Sequence, residues 1–190
     1  MKLYLASQSP RRRELLGLLG VQFEMFSTDV DETPLDGEAP PDYVARLACA
    51  KAGAGWKRIG ESSRPPLPVL GADTTVAIDG RILGKPADGR EAGEMLAALS
   101  GRRHEVLTAI ALKLHDRLDS ALQVSEVEFK NLSKEDLQRF LLTREWEGKA
   151  GAYAVQGAAA RFVSGLRGSF TGVMGLPLCE TARLLERIGR

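Results

Sequence analysis

The run Val69 to Ile78, Val-Leu-Gly-Ala-Asp-Thr-Thr-Val-Ala-Ile, constrains the fold more than any other stretch of the chain. It is short, apolar and rich in β-branched residues, and it is bounded by Pro68 on one side and Asp79-Gly80 on the other, so it predicts a strand. Asp79-Gly80 is a two-residue hairpin signal that returns the chain through Arg81-Ile82-Leu83. Such a run has the pattern of a central strand, in which aspartate is depleted. Asp73 is therefore an anomaly. A carboxylate there needs a partner, a hydrogen bond or a metal unless it sits on an edge facing water. Its chemistry would be that of a general base for water, a hard-metal ligand, or both.

The rest of the chain interleaves strands and helices. Met1 to Ala6 and Val21 to Phe26 read as strands around a helix that Ser9 caps and Pro10 opens. Asp29 to Pro41 is an acidic, proline-containing loop, after which Pro41 starts a helix bearing Tyr43, Val44, Leu47 and Ala48, with Gly53 and Gly55 weakening its last turn. Asp88 with Glu91, and Ser133 with Asp136, mark two further helix starts. Val106 to Leu114 and Leu118 to Phe129 predict a long antiparallel pair joined at His115-Asp116-Arg117. Short strands are expected near Tyr153–Val155 and Arg161–Val163, and Gly168 to Leu176 reads as glycine turns ahead of a final helix from Pro177. This order predicts an α/β fold, a mixed sheet flanked by helices. Its 190 residues form one domain spanning 1–190 in this reading.

Charge and cysteine usage narrow the function classes. With 26 basic and 25 acidic side chains, no global field favours nucleic acid or an anionic membrane surface, so any recognition of phosphate has to be local. No apolar run is long enough to span a bilayer and no signal peptide is evident, so a cytoplasmic location is expected. Cys49 and Cys179 read as buried small side chains, and His104 and His115 as isolated residues in turns.

Three local signals carry chemistry. Arg11, Arg12 and Arg13 occupy the first turn of the first helix, where free N–H groups and the positive end of the dipole disfavour cations. A phosphate chain placed there would relieve the conflict, because helix N-termini bind anions and arginine adds forked donors. Lys51, Lys85 and Glu32 are unremarkable alone. Together with Arg11, Arg12 and Asp73 they supply the groups needed to hold a triphosphate and a divalent ion. Gly151-Ala152-Tyr153-Ala154-Val155-Gln156-Gly157 offers small residues, a ring and an amide to a flat ligand, or is a tight hairpin.

These segments, in this order, resemble the Maf family of nucleoside triphosphate pyrophosphatases. The resemblance is carried by Leu5 to Arg12, Asp31-Glu32, Arg46-Leu47-Ala48 with Lys51-Ala52, Gly71 to Thr74, Gly84-Lys85-Pro86, Leu99-Ser100-Gly101 with His104, Lys149 to Tyr153 with Gln156-Gly157, and Gly175 to Leu178. One departure is Ala158-Ala159-Ala160 in place of a more glycine-rich run. The family fold implied is an elongated mixed α/β sheet with a cleft between two lobes, related to the inosine triphosphate pyrophosphatases.

The resemblance also implies hydrolysis between the α and β phosphates with help from a divalent metal, magnesium or manganese. Carried over by position, Asp73 is the proton acceptor and a metal ligand with Glu32, while Ser7, Arg11, Arg12, Lys51 and Lys85 grip phosphates. Arg12, Thr74 and Gln156 resemble positions that tune base choice. Gln156, with Ala150 to Tyr153, follows the dTTP and UTP type of the family, whereas the 7-methyl-GTP type carries an acidic residue. An amide accepts from N3–H of uracil or thymine and donates to a ring carbonyl, which a carboxylate cannot do. The alternatives are a pyrophosphatase for 7-methyl-GTP or other noncanonical purine triphosphates, and a nucleotide-binding septum-formation inhibitor. A homodimer is a further expectation of the resemblance.

Overall fold

The computed structural model describes residues 1–188. Its centre is a seven-stranded mixed sheet of order β2-β1-β3-β5-β6-β7, with β4 paired to β3 outside this path. The strands are β1 (Lys2–Leu5), β2 (Gln22–Met25), β3 (Val69–Ile78), β4 (Arg81–Leu83), β5 (Arg103–Leu114), β6 (Arg117–Phe129) and β7 (Val163–Arg167). Helices α1 (Pro10–Gly17), α2 (Pro40–Gly60), α3 (Gly89–Leu99), α4 (Lys134–Leu142), α5 (Phe170–Met174) and α6 (Leu178–Ile188) flank it. Among the described residues no helix is long and apolar enough to cross a membrane.

β3 is the strand that positions everything else. β5 pairs antiparallel with it along Val69 to Ala77, placing Asp73 opposite Ala109 and Thr74 opposite Thr108. On its other edge β1 runs parallel only at Val69 and Leu70, and β4 covers only Val76 to Ile78. Residues 71 to 75 therefore have no neighbouring strand on that side among the described residues. The gap opens because β1 turns away at Ser7 into α1, and because β4, which the Asp79-Gly80 turn (φ of 52° and 73°) folds back along β3, stops after three residues at Leu83.

Alternation along β3 divides its side chains between two faces. Gly71, Asp73 and Thr75 face α2, while Ala72, Thr74 and Val76 face the opposite layer. On that second face Leu70, Ala72, Ile110 and Leu112 pack with Leu3, Leu5, Leu15 and Leu184 in one apolar cluster. Val76, Ile78 and Val106 join Leu96, Leu99, Phe129 and Phe162 in another. Thr74 and Thr108 stand between the two. On the first face α2 lies close to the sheet: a Cβ on Gly71 would strike the Ala48 carbonyl oxygen and sit 2.6 Å from the Ala52 nitrogen.

Several expectations need correction. α2 begins at Pro40 and continues through Gly53 and Gly55 to Gly60. Gly55 is a packing residue, since a Cβ there would lie 2.7 Å from Val69. Tyr153–Val155 is not a strand, because Gly151 and Ala152 adopt φ of 64° and 63° in a 3-10 turn that no strand can continue. Arg161 and Phe162 end a second 3-10 turn, and the strand starts at Val163. Gly168 to Leu176 contains a short helix, α5, capped by Ser169. Cys49 is only half-buried and Cys179 is exposed. His115 does occupy a turn, but His104 lies on β5 and is buried.

Candidate functional site

The strand gap opens into a cavity of about 450 Å³. Ser7, Arg11, Arg12, Glu32, Lys51, Asp73, Thr74, Lys85 and Gln156 all line it, so residues spread over 150 positions of sequence converge on one recess. Lys149, which sequence reasoning quoted within a motif without giving it a role, lines it too. Gly148, just before it, adopts a positive φ of 65° in the turn that carries Lys149 to the lining.

One wall is anchored by α1. Ser9 caps the helix by accepting from the Arg12 N–H, as its position after the strand predicts. The Arg12 guanidinium is held at three points: Nε donates to Gly175 O at 2.9 Å, Nη1 to Ser7 Oγ at 3.3 Å and Nη2 to Thr74 Oγ1 at 3.2 Å. One hydrogen on each Nη remains for a ligand. Ser7 Oγ also accepts from the Ser9 N–H, so its lone pairs are used while its hydroxyl proton is free to donate.

The other wall is anchored by α2. Lys51 Nζ lies 2.6 Å from Glu32 Oε1 and 2.7 Å from Asp73 Oδ1, and Lys85 Nζ lies 2.8 Å from Glu32 Oε2. Both the Lys51 and Asp73 side chains are nearly buried. The loop bearing Glu32 is tied down from α2, where Tyr43 donates its hydroxyl to Glu32 O and Arg46 donates to Thr33 O and grips the Glu38 carboxylate. Partial burial works to raise the Glu32 pKa, but the hydrogen bonds from Lys51 and Lys85 outweigh it and leave the carboxyl at about 2.

The charges fall into two groups. Lys51 and Lys85 are neutralised by Glu32 and Asp73. Arg11, Arg12 and Lys149 have no carboxylate at ion-pair distance among the described residues, and the Lys149 ammonium donates only to Glu147 O of its own turn. Burial lowers the pKa of all three, and Arg11 pushes that of Arg12 and Lys149 further down, although Asp73 and Glu32 oppose this at Arg12. Five cationic side chains against two carboxylates leave the lining with three net positive charges, crowded where cations are disfavoured. A polyanion relieves that crowding. Gln156, by contrast, is exposed at the cavity with an amide that has no protein partner among the described residues.

Behind the recess, His104 Nε2 meets the Tyr153 hydroxyl at 2.8 Å, and both rings pack edge-on against Phe129. Among the described residues Nδ1 has no partner, and burial lowers the His104 pKa from 6.5 to about 4. The folded state thus rejects a proton that the unfolded chain accepts below pH 6.5. The resulting stability is complete above pH 6.5 and is lost as pH falls toward 4. Denaturant unfolding should show a loss of about 2 kcal/mol between pH 7 and pH 4.5. His104→Phe should flatten most of that slope.

Among the described residues no three His, Cys, Asp or Glu side chains gather into a ready metal cage. Comparison with known proteins places the chain in a defined group. The profile of the Maf-like protein family matches residues 2–188. The chain is 50% identical over 197 residues to the dTTP/UTP pyrophosphatase of Aromatoleum aromaticum, covering 99% of this chain and 96% of that protein. It is 53% identical over 190 residues to the protein of the same name from Cereibacter sphaeroides, covering 100% and 96%. The Dechloromonas aromatica protein, again a dTTP/UTP pyrophosphatase, is 47% identical over 197 residues, covering 100% and 98%.

Proposed function

The chain belongs to the Maf family, and from that premise we propose that it hydrolyses dTTP and UTP to the nucleoside monophosphate and pyrophosphate. The observation that carries this reading is the convergence of Arg11, Arg12 and Lys149, which have no carboxylate partner among the described residues, with the paired Lys51 and Lys85 and the strand-borne Asp73 on one cavity whose net charge suits a triphosphate. The cytoplasm, where these nucleotides are made and used, is the proposed location, and a homodimer the proposed assembly.

The phosphate chain lies across the start of α1, where the Arg11 guanidinium and backbone N–H, the free Arg12 side-chain hydrogens and the Ser7 hydroxyl donate to its oxygens. Lys51 and Lys85 approach from the opposite wall. As phosphate oxygens compete for the Lys51 ammonium, they loosen its hold on Asp73, and the freed carboxylate accepts a proton from the attacking water. That water attacks phosphorus, and pyrophosphate leaves with its charge balanced by the surrounding cations.

A divalent ion such as magnesium or manganese fits the donor set. Glu32 Oε1 and Asp73 Oδ1 are hard oxygens turned toward one point, where the Lys51 ammonium already bridges them. With Lys51 drawn to the phosphates, Glu32 and Asp73 would hold the ion together with substrate phosphates and water, and the ion would supply charge neutralisation and a more acidic water.

Base choice falls to Gln156, whose free amide both donates and accepts. Pyrophosphate release measured side by side for dTTP, UTP, CTP, GTP and 7-methyl-GTP should favour the first two; preference for the methylated guanine would overturn the assignment. Gln156→Glu should lower turnover of dTTP about 100-fold, because a carboxylate cannot donate to a pyrimidine carbonyl.

A further inference from the structure

Thr108 lies behind the cavity lining, on β5, and is fully buried. It sits opposite Thr74 in the sheet, between two apolar clusters where a valine of the same shape would pack as well. A hydroxyl there costs stability unless it is bonded. Its oxygen lies 2.7 Å from Gly172 O and 2.9 Å from Thr74 Oγ1. A carbonyl cannot donate, so the Thr108 proton goes to Gly172 O. Thr74 must then donate to Thr108, which leaves its lone pairs to accept from Arg12 Nη2.

The hydrogen-bond sense is thereby fixed along one line from Arg12 through Thr74 and Thr108 to Gly172. The same carbonyl of Gly172 also accepts from the Gly175 N–H at the left-handed cap of α5, and Gly175 O takes Arg12 Nε. One of the three anchors of the Arg12 guanidinium, Thr74 Oγ1, therefore takes its orientation from a hydroxyl that never meets the cavity, and a second, Gly175 O, belongs to the turn whose Gly172 carbonyl the same hydroxyl engages. We infer that Thr108 is a positioning residue for substrate binding, holding Arg12 in the orientation that leaves its free hydrogens toward the phosphate chain; this rests on the nucleotide-binding reading of the cavity.

The test compares Thr108→Val and Thr108→Ser with the unaltered protein in steady-state pyrophosphate release from dTTP, each also placed in an Arg12→Ala background. Thr108→Val should raise KM about tenfold with kcat nearly unchanged, as expected for a lost buried hydrogen bond that serves binding. Thr108→Ser should restore the original KM. In the Arg12→Ala background Thr108→Val should add almost nothing, because the effect passes through Arg12.

An unchanged KM, a fall in kcat alone, or a full effect without Arg12 would overturn the inference, since a merely structural role reduces the amount of active protein and leaves KM alone. If Thr108→Val gives no folded protein, Thr108→Ala removes the same hydroxyl with less bulk and carries the same comparison. If the unaltered protein releases no pyrophosphate, the proposed activity fails, and dTTP affinity by calorimetry decides the Thr108 question by the same pattern.

Discussion

Asp73→Asn should slow pyrophosphate release from dTTP by at least about a thousandfold while leaving nucleotide affinity equal or tighter. The amide matches the carboxylate in size, so the close packing around β3 is kept. What it loses is the ability to accept a proton from water. It also removes one of the two negative charges in a cavity that already carries three net positive ones, which favours a bound triphosphate. Lys51 keeps its bond to Glu32 and stays in place. Thermal melting should therefore change little, calorimetric titration should still report dTTP binding, and only turnover should collapse. A variant with near-normal pyrophosphate release would remove Asp73 from the role of base.

The largest structural effect is expected from Gly71→Ala. The new methyl would meet the Ala48 carbonyl oxygen, the Ala52 nitrogen and, at 3.1 Å, the Ala52 Cα. All three belong to the backbone of α2, so no rotamer change relieves the contact and the helix has to move away from the sheet. Overpacking of this kind costs about 3 kcal/mol, near the top of the usual range because the obstacle is main chain. For a chain of this length that corresponds to a fall in Tm of about 10 °C. Lys51 rides on the same turn of α2, so its bonds to Glu32 and Asp73 stretch with it. Turnover should drop even at temperatures where the protein stays folded. Differential scanning calorimetry with parallel kinetics checks both parts. An unchanged Tm would show that the contact between α2 and β3 yields more easily than its geometry implies.

Much of this site was legible in the sequence because its residues break local rules. Asp73 interrupts an apolar strand, and Arg11 and Arg12 oppose a helix dipole; both anomalies lead to the cavity. The hairpin at Asp79-Gly80 and the caps at Ser9, Asp88 and Ser133 could be read for the same reason, since each turn or cap demands particular residue types.

Other features had no such signature. Lys149 looks like any surface lysine until the turn at Gly148 aims it inward. The Gly151–Val155 segment has strand-like composition, and only its close approach to β3, where a Cβ on Gly151 would lie 2.9 Å from Val76, dictates the left-handed turn. His104 is isolated in sequence because its partners, Tyr153 and Phe129, arrive from distant strands and turns. Which pairs of charges neutralise each other is likewise a property of three dimensions. Lys51 and Lys85 meet Glu32 across 19 and 53 positions, and nothing in their local surroundings foretells it.

The central claim is that one cavity seats the whole nucleotide, with phosphates between α1 and the lysines and the base against Gln156. A crystal structure of Asp73→Asn bound to dTTP and magnesium tests this most directly. The phosphate oxygens should fall within hydrogen-bond reach of Arg11, Arg12, Lys51 and Lys85, with the thymine ring at the Gln156 amide and the α phosphorus beside residue 73. Nucleotide bound outside the recess, or seated with its base at the arginines and its phosphates toward Gln156, would contradict the account.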